Sequence, residues 1–553
     1  MPEETTSLYL IDIGYRAGLI ESQRECIYMS EEGHERLQQL VPSVRRVEPR
    51  DGRFLLKKTS RIVATDNATG IGELLARYIR PATSFPLPVV NGSGGGKSDI
   101  FLGIDGDSES DGLGFYDESY TCRSGDEGCS VRAESDHGLA RGIQTLRQLF
   151  PPSIFSASPV EELEWDIPAC EIADKPVFKW RGMHLDVGRH FFAPNQVCRF
   201  LDHLALHRYN RLHLHLTEDQ GWRIEIQKYP KLTEVGSVRD ATLLGHYNDK
   251  PHKFSDVPYG GFYRQEEIRS MVAFAAERRV EIVPEIDMPG HMQAAIAAYP
   301  ELGCTDMTIK PRCTWGISQH ILNPMPFTMA FIKDVLDEVM ELFPGKFIHI
   351  GGDEAHKYEW EESRAIQDRM VELGLKNEGE LQSWFIGEIG NHILANGRYF
   401  IGWDEILEGG LAESAAIMSW RGAAGGISAA RQNHCVVMAP NRYTYFDYYQ
   451  TEDRSNEPLA IGNHLPVEMV LSYRPIPDEL EERYHKYILG SQGQLWTEYI
   501  PTEECLDYMT YPRACALAEV LWSDGMDIAQ FCDRLQFHRR RLDMLGINSH
   551  PKP

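Results

Sequence analysis

Two acidic residues stand side by side where a buried stretch of the chain ends. The stretch is FIHIGGDE, residues 347–354, and its carboxylates are Asp353 and Glu354. Two ionised carboxylates this close repel each other, and burial raises the free energy of both. One interpretation is a solvated turn in which Asp353 begins a helix. The other is a catalytic acid whose pKa is raised by burial and by its neighbour, as general acid–base catalysis requires.

Short β-rich runs like this one recur along the second part of the chain. They are 180–187, 209–217, 279–287, 346–354, 398–406, 415–420, 434–440 and 487–496. Helical patterns such as 195–209 and 265–279 lie between several of them. This alternation predicts an α/β fold with a (β/α)8 TIM barrel, in which the carboxyl ends of all strands meet at one face.

The ends of these runs are rich in carboxylates and aromatic side chains. The residues are Asp186, Glu218, Asp219, Asp287, Asp353, Glu354, Trp403, Asp404, Glu405, Trp420, Tyr445, Asp447, Trp496 and Glu498. Aromatic faces pack against the C–H surfaces of sugars, and carboxylates accept hydrogen bonds from hydroxyl groups. Together they indicate a carbohydrate pocket.

The adjacency of Asp353 and Glu354 favours one kind of glycosidase. Most glycosidases need two carboxylates on opposite sides of the scissile bond, roughly 5–9 Å apart. Neighbouring residues are poorly placed for that arrangement. They suit substrate-assisted hydrolysis, in which the 2-acetamido oxygen of the sugar attacks the anomeric carbon and a protein carboxylate holds the amide.

Several motifs together resemble the glycoside hydrolase family 20 β-N-acetylhexosaminidases. They are HIGGDE (349–354), WRGMHLDVGRHF (180–191), HLHLTEDQGWRIEI (213–226), PEIDMPGH (284–291), GWDE (402–405) and LWTE (495–498). The resemblance covers nearly all of 177–553. It implies a barrel catalytic domain at 176–553 with a C-terminal helix, preceded at 1–175 by the smaller α/β domain of that family.

The resemblance also implies a role for each matching residue. Glu354 would protonate the glycosidic oxygen and then activate water, and Asp353 would hold the acetamido N–H. Since Glu354 must start protonated, its pKa should be raised by Asp353 and burial, and activity should fall on the alkaline side. The implied substrate-binding residues are Arg181, Asp219, His291, Trp403, Trp420, Tyr445, Asp447, Trp496 and Glu498.

A supporting network behind Glu354 would contain Glu218 and Asp287 together with His291. Whether Glu218 or Asp219 reaches this network is left open, and Tyr443 is a rival to Tyr445. The implied activity is retaining exo-hydrolysis of terminal non-reducing β-linked GlcNAc or GalNAc through an oxazolinium intermediate, with no cofactor and no metal. The expected partner is a small carbohydrate or glycoconjugate, and a homodimer is left open.

Two other functions compete with this one. His213 and His215 form an H-x-H pair of the kind that binds metal in amidohydrolase barrels, with Asp219, Asp287 and His291 nearby. Packing of one histidine inward and one outward is the preferred interpretation, because amidohydrolases carry the pair on their first strand and here a strand precedes it. The second rival is a sugar lectin on an inactive barrel, which would have no need for two adjacent acids.

Composition narrows the class of protein. The 553 residues carry a formal net charge of −26, which disfavours nucleic acid and anionic membranes as partners. No apolar run approaches the ~18 residues of a membrane span. The start, MPEETTSLYLIDIG, lacks a basic segment followed by an apolar core, which favours the cytoplasm. An extracellular or periplasmic location applies if the amino terminus was trimmed.

Cysteine usage and the first 175 residues give further expectations. The 11 cysteines include no CxxC pair, so neither a disulfide scaffold nor a zinc site is expected. Cys304 and Cys313 could pair in an oxidising compartment, and reduced thiols in a cytosol are the equal alternative. Within the smaller domain, 98–104 is predicted to be a strand and 136–150 an amphipathic helix. The proline-rich segment 151–168 is predicted to be a linker.

Overall fold

The structure is a computed structural model. It describes residues 35–106, 109–161, 164–408, 410, 414–525 and 527–551. The chain start on which the leader-peptide expectation rests lies outside the described residues. No helix in the described part of the chain combines the length and apolar character needed to cross a bilayer.

A mixed seven-stranded sheet forms the first part of the molecule. Its strands, in order across the sheet, are Arg46–Leu56, Trp165–Asp174, Tyr120–Gly125, Gly128–Ala133, Ile100–Ile104, Ile62–Ala64 and Val89–Asn91. The helices packed on it are Thr69–Thr83 and Asp136–Leu149. The predicted strand and helix are confirmed, and the helix begins where the Ser135 side chain accepts a hydrogen bond from the Gly138 N–H.

The linker prediction for 151–168 is wrong at its end. The last strand of the sheet begins at Trp165 and pairs antiparallel with both Arg46–Leu56 and Tyr120–Gly125. Proline is compatible with this strand because Pro168 needs no ladder hydrogen bond from its own nitrogen.

Eight parallel strands close into the predicted barrel. They are β1 (Trp180–Asp186), β2 (Arg211–His215), β3 (Glu281–Glu285), β4 (Phe347–His349), β5 (Tyr399–Trp403), β6 (Ala416–Ser419), β7 (Val436–Met438) and β8 (Ile488–Gly493). Each falls inside one of the eight predicted runs. The (β/α)8 fold class is therefore confirmed, and strand β8 pairs with β1 to close the ring.

Helices surround the barrel. The longer ones are Pro194–Leu206, Gln265–Glu277, Pro326–Leu342, Arg364–Leu373, Glu378–Ala395, Ala424–Arg431, Glu503–Thr510, Arg513–Trp522 and Ile528–Met544. Shorter helices are Lys231–Glu234, Gln293–Ala298, Tyr358–Glu362, Asn441–Thr444 and Val467–Ser472. Two-residue strand pairs stiffen the connections, at Thr217–Glu218 with Gly221–Trp222, Val238–Arg239 with Tyr259–Gly260, and Leu243–Leu244 with Lys253–Phe254.

The barrel interior is polar toward its carboxyl end. His213 and His215 are both fully buried, and both contact the carboxylate of Glu285. Residues two apart share one face of a strand, so both histidines point inward. The expectation of one inward and one outward histidine is therefore wrong.

Candidate active site

A cavity of about 360 Å³ opens at the carboxyl ends of the barrel strands. The predicted residues that line it are Glu218, Asp287, His291, Asp353, Glu354, Trp403, Trp420, Tyr445, Asp447, Trp496 and Glu498. Residues from well-separated parts of the sequence meet here because parallel strands end at the same rim. The predicted strand-end carboxylates and aromatic residues therefore line one common cavity.

A glycine pair after β4 turns the chain so that the two acids face the cavity. Gly351 has φ +64° and Gly352 has φ +100°, both in the left-handed region. A Cβ at Gly351 would lie 1.6 Å from the Asp287 Oδ1 atom, and the Gly352 N–H donates to that oxygen at 3.1 Å. Only glycine fits such a close approach, which explains why two glycines precede Asp353 in the sequence.

Asp353 and Glu354 both face one imidazole. The His291 Nε2 atom lies 3.8 Å from Asp353 Oδ2 and 3.5 Å from Glu354 Oε2. The side chain of Asp353 is 11% exposed and that of Glu354 is 34% exposed. The two carboxylates therefore share a cationic neighbour and differ in contact with solvent.

The surroundings shift the two acids in opposite directions. Burial, followed by the charge of Asp287, raises the pKa of Asp353 well above its usual value. Burial also raises the pKa of Glu354, but the hydrogen bond and charge of His291, followed by Arg189, lower it by more. The pKa of Glu354 is thus below its usual value, and the expected rise is wrong. The two shifts together favour the proton on Asp353.

Glu218 is the residue that holds His291. Its Oε1 atom lies 2.8 Å from His291 Nδ1. Asp219 lies 3.8 Å from the same nitrogen and is fully buried away from the cavity, where it accepts the backbone N–H groups of Gln293 and Ser318. The open choice is settled in favour of Glu218, and substrate contact by Asp219 is a prediction that the structure corrects.

Aromatic rings form the walls. The Trp403 and Trp496 ring centroids are 5.8 Å apart, and Trp420 stacks with Tyr445 at 6.1 Å. Tyr443 stacks instead on Tyr473 at 5.3 Å and does not line the cavity. Of the two rival tyrosines, Tyr445 is therefore the one with access to a ligand.

Asp447 and Glu498 each contribute one buried carboxylate oxygen beside the cavity. Asp447 Oδ1 and Glu498 Oε2 have no hydrogen-bond partner among the described residues. Burial raises the pKa of both carboxyl groups, and the charge of Glu498 adds to the effect at Asp447. Unpaired buried oxygens are costly unless a ligand supplies donors, which sugar hydroxyls would do.

Arg181 is not at the site, which corrects its prediction as a substrate contact. It is the second residue of β1 and lies at the amino-terminal end of the barrel. There its guanidinium lies 2.7 Å from Glu118 and donates to the backbone oxygens of Phe178 and Arg208. Strand direction alone could have shown this, since sites form at the opposite end.

Arg189 is the arginine that lines the cavity. It follows β1, and its guanidinium lies 3.3 Å from Asp186, 3.0 Å from Glu218 and 5.0 Å from the Trp496 ring. It belongs to the same WRGMHLDVGRHF motif as Arg181, so the signal was present in the sequence.

The cavity is also lined by residues that the sequence motifs did not identify. The loops 242–261 and 304–322 supply His246, Tyr247, Asn248, Trp315, Gly316 and Ile317. Further residues are Tyr448, Ile461 and Tyr499.

Glu405, whose carboxylate accepts the Trp420 N–H at 2.9 Å, has its pKa raised to about 8 by burial and then by Asp353. Cys304 and Cys313 are both free thiols.

Two residue groups at the cavity have the spacing of metal ligands. They are Glu218 with Asp219 and His291, and Asp287 with His291 and Asp353, each set lying within 4.8 Å. Burial lowers the pKa of His291, but the charge and hydrogen bond of Glu218 raise it by more, to well above its usual value, which favours the imidazolium. An imidazolium has no lone pair for a metal, and the donor set therefore does not fit one.

Comparison with known proteins matches both parts of the chain. Residues 178–525 match the profile described as "Glycosyl hydrolase family 20, catalytic domain", and 37–175 match "Glycosyl hydrolase family 20, domain 2". A beta-hexosaminidase of Porphyromonas gingivalis is 44% identical over 497 residues, covering 89% of this chain and 62% of its own length. The chain thus spans less than two thirds of that relative.

Two solved structures resemble the whole fold. The β-N-acetylhexosaminidase of Streptomyces coelicolor A3(2) is 30% identical, with a TM-score of 0.79 over 94% of this chain and 98% of its own. A mutant β-hexosaminidase of Streptomyces plicatus, solved in complex with the product GlcNAc, is 30% identical with a TM-score of 0.79, covering 94% of this chain and 97% of its own. With the profile matches, these likenesses show that the chain belongs to glycosyl hydrolase family 20.

Proposed function

We propose that this protein removes terminal β-linked GlcNAc or GalNAc from the non-reducing end of glycans, with retention of configuration. Family membership supports the reaction class. The observation that carries the mechanism is the placement of Asp353 and Glu354 against the same His291 nitrogen. Two adjacent carboxylates that face one imidazole are poorly placed to flank a scissile bond, which favours a nucleophile supplied by the sugar.

The first step uses the acetamido group. Its carbonyl oxygen attacks the anomeric carbon while the bond to the leaving oxygen breaks, and Glu354 gives its proton to that oxygen. The product is a cyclic oxazolinium ion, whose N–H donates to ionised Asp353. The Tyr445 hydroxyl donates a hydrogen bond to the attacking carbonyl oxygen and fixes its direction.

The second step reverses the geometry. Glu354, now ionised, takes a proton from water, and the water oxygen adds to the anomeric carbon from the face that the leaving group vacated. The ring opens and the acetamido group is restored. Two inversions at one carbon give net retention.

Substrate binding moves the shared proton. The pKa of Asp353 is raised while that of Glu354 is lowered, which favours the proton on Asp353. An acetamido N–H pointing at Asp353 favours the ionised form, and the resulting charge raises the pKa of Glu354. Binding of a sugar that carries the acetamido group therefore leads to protonation of Glu354, whereas binding of a sugar without this group does not.

The remaining residues hold the sugar. Asp447 and Glu498 accept hydroxyl hydrogen bonds through their unpaired oxygens, and Arg189 donates to hydroxyl oxygens beside them. Trp403, Trp420 and Trp496 enclose the acetamido methyl group and the apolar ring face. The relative from Streptomyces plicatus, whose structure contains GlcNAc, supports a pocket for this sugar.

Aryl glycosides of four sugars test the proposal. Aryl β-GlcNAc and aryl β-GalNAc should be cleaved, whereas aryl β-glucoside and β-galactoside should react at least about 10²-fold more slowly, since they lack the internal nucleophile. A thiazoline analogue of the cyclic intermediate should inhibit competitively. Equal rates on the glucoside and the GlcNAc glycoside would exclude substrate assistance, and binding without turnover would indicate a lectin.

A further inference from the structure

A buried ionic cluster lies inside the barrel below the cavity, and the reaction described above does not use it. Its centre is the fully buried carboxylate of Glu285 at the end of β3. Glu285 lies 3.0 Å from His213 Nε2, 2.5 Å from His215 Nδ1 and 2.9 Å from His349 Nδ1. The indole N–H of Trp403, a wall of the cavity, donates to the same carboxylate at 2.9 Å.

The barrel register brings this cluster together. His215 on β2 lies opposite Glu285 on β3, and Glu285 lies opposite His349 on β4. The three side chains come from adjacent strands at one level of the barrel. The strand pairing therefore fixes the relative positions of the three side chains, because none of them lies on a loop.

His215 lies between two carboxylates. Its Nδ1 atom faces Glu285 at 2.5 Å and its Nε2 atom faces Glu218 at 3.1 Å. A neutral imidazole would direct one lone pair at a carboxylate oxygen, which is repulsive, so the ring carries both protons. Burial lowers the pKa of His215, but Glu285 and then Glu218 raise it by more, to well above its usual value.

From Glu218 the contacts continue to the acid. Glu218 Oε1 lies 2.8 Å from His291 Nδ1, and His291 Nε2 lies 3.5 Å from Glu354 Oε2. The charges alternate along the path, which is Glu285, His215, Glu218, His291 and Glu354. Each ion stabilises the next, and low-dielectric surroundings make such coupling strong.

We propose that Glu285 and His215 are positioning residues for the general acid, acting through Glu218 and His291. Through this chain of ion pairs, the barrel interior holds His291 charged and oriented toward Glu354. The inference rests on the proposed role of Glu354. It adds two residues that touch neither the cavity nor the sugar.

The cluster also has the spacing of metal ligands, in the sets His184 with His213 and Glu285 and His215 with Glu285 and Asp287. Hydrogen-bond directions argue against an ion. Gln492 accepts the Trp180 N–H through its oxygen at 3.3 Å, so its amide N–H donates to His213 Nδ1 at 2.9 Å. The His213 proton is then on Nε2, facing Glu285. His215 and Trp403 also donate N–H groups to Glu285, whereas His349 Nδ1, 2.9 Å from Glu285, accepts the Gly351 N–H.

Other charges surround the path and contribute to any titration. The titratable and charged groups that face it are His184 and Asp186 from β1, Arg189 after β1, His213 from β2, Asp219, Asp287, His349 and Asp353. These groups are unchanged in the variants below. Differences between variants therefore report the removed charge.

Removal of a negative charge and removal of a positive charge should shift the pKa of the acid pair in opposite directions. Glu285→Gln removes a negative charge, so the acid pair releases its proton at lower pH, and the alkaline limb of kcat/KM shifts down by about 0.5–1 unit. His215→Gln removes a positive charge and shifts the limb up by a similar amount. The double variant returns the limb toward wild type, and Glu285→Asp, which keeps the charge, leaves it unchanged.

A matched control separates this effect from instability. Glu118→Gln removes another buried carboxylate, which pairs with Arg141 and Arg181 at the other end of the barrel. It should lower the unfolding midpoint and leave the alkaline limb in place. Limbs of Glu285→Gln and His215→Gln that coincide with wild type, or that move in the same direction, would overturn the proposal.

A measurement on wild-type protein covers the case in which the variants do not fold. Neutron diffraction from crystals at pH 7 should locate deuterium on both ring nitrogens of His215, and a single deuterium would overturn the proposal. This result does not depend on turnover. If wild-type protein fails to cleave any GlcNAc glycoside, the proposed function is wrong while the neutron result still tests the charge of His215.

Discussion

Asp353 and Glu354 are chemically similar neighbours with different surroundings. Asp353 lies deeper, next to Asp287, whereas Glu354 is more exposed and faces His291 and Arg189. Burial and like charge raise the pKa of Asp353, and cationic neighbours lower that of Glu354. Proximity makes the two groups titrate as one pair, and under the proposed mechanism the bound acetamido group transfers the proton of the pair to Glu354.

Substitution of Glu354 by Gln tests the acid. Glu354→Gln should lower kcat by roughly 10²–10⁴-fold, because proton transfer is lost while the pocket is intact. The loss should be smaller for aryl leaving groups of low pKa, which depart without a proton. Glu361→Gln, an exposed glutamate in the segment that follows, is the matched control and should retain wild-type rates. Near wild-type activity of Glu354→Gln on an alkyl glycoside would remove it from the mechanism.

At the scale of elements, the turn after β4 places the acids. Gly351 and Gly352 occupy left-handed backbone conformations, and Glu354 itself has φ +47°. Such a conformation is uncommon for a residue with a side chain and recurs at functional sites. The turn is held by the hydrogen bond from Gly352 to Asp287, so β3 and β4 are joined at the site.

A methyl group at Gly351 should disrupt this turn. Gly351→Ala places a Cβ 1.6 Å from Asp287 Oδ1, so the turn must move and the acids with it. A displacement of about 1 Å reduces catalysis by ~10²-fold. Gly387→Ala, in the helix Glu378–Ala395 with no atom within 4 Å of the new Cβ, is the control. It should stabilise the protein by about 0.5–1 kcal/mol and leave activity unchanged, whereas wild-type kinetics of Gly351→Ala would contradict the role of the turn.

The hairpin Leu243–Leu244 with Lys253–Phe254 is the second element with a functional consequence. It carries Tyr247 to the cavity, and the backbone N–H of Tyr247 donates to the Tyr499 hydroxyl at 3.0 Å. This ring can pack on the sugar next to the scissile bond.

Tyr247→Ala should therefore raise KM for a GlcNAc disaccharide by about 5–10-fold, equivalent to about 1 kcal/mol of lost contact. The KM for a small alkyl GlcNAc glycoside should be unchanged. Phe254→Ala removes an exposed ring from the same hairpin outside the cavity and serves as the control. An equal change in KM for both substrates would show that Tyr247 supports the fold of the hairpin and not the leaving group.

At the scale of the whole molecule, a buried ion cluster joins the seven-stranded sheet domain to the amino-terminal end of the barrel. Glu118 lies 2.8 Å from Arg141 and 2.7 Å from Arg181, and all three side chains are nearly inaccessible to solvent. The Trp522 and Leu206 side chains of the barrel helices pack in the apolar core of the first domain. Stability and catalysis thus depend on opposite ends of the same barrel.

The variant Arg181→Gln tests whether stability can be lowered at the amino-terminal end of the barrel without a change in catalysis at the carboxyl end. Removing one partner of a buried pair costs about 3–5 kcal/mol of unfolding free energy, because Glu118 keeps only part of its compensation. The denaturant midpoint should fall clearly while kcat and KM below the transition stay within about two-fold of wild type. Arg123→Gln, which breaks an exposed pair with Glu171, should cost less than about 1 kcal/mol. A raised KM in Arg181→Gln would show that Arg181 contributes to sugar binding and would contradict this assignment.

The sequence by itself determined the fold and most of the site. Alternating β-rich and helical runs specify eight strands because strand and helix periods are local properties of the chain. The rule that sites lie at strand carboxyl ends then identifies residues such as Asp353, Tyr445 and Glu498 without coordinates. Applied strictly, the same rule also separates Arg189 from Arg181.

Tertiary structure decided what depends on neighbours distant in sequence. The choice of Glu218 over Asp219 follows from which carboxylate meets His291, and the lowered pKa of Glu354 follows from His291 and Arg189 together. The ion path from Glu285 exists only because the register of β2 and β3 brings His215 beside it. Coulomb interactions act through space, so their sum at one carboxylate is fixed only when the barrel has closed.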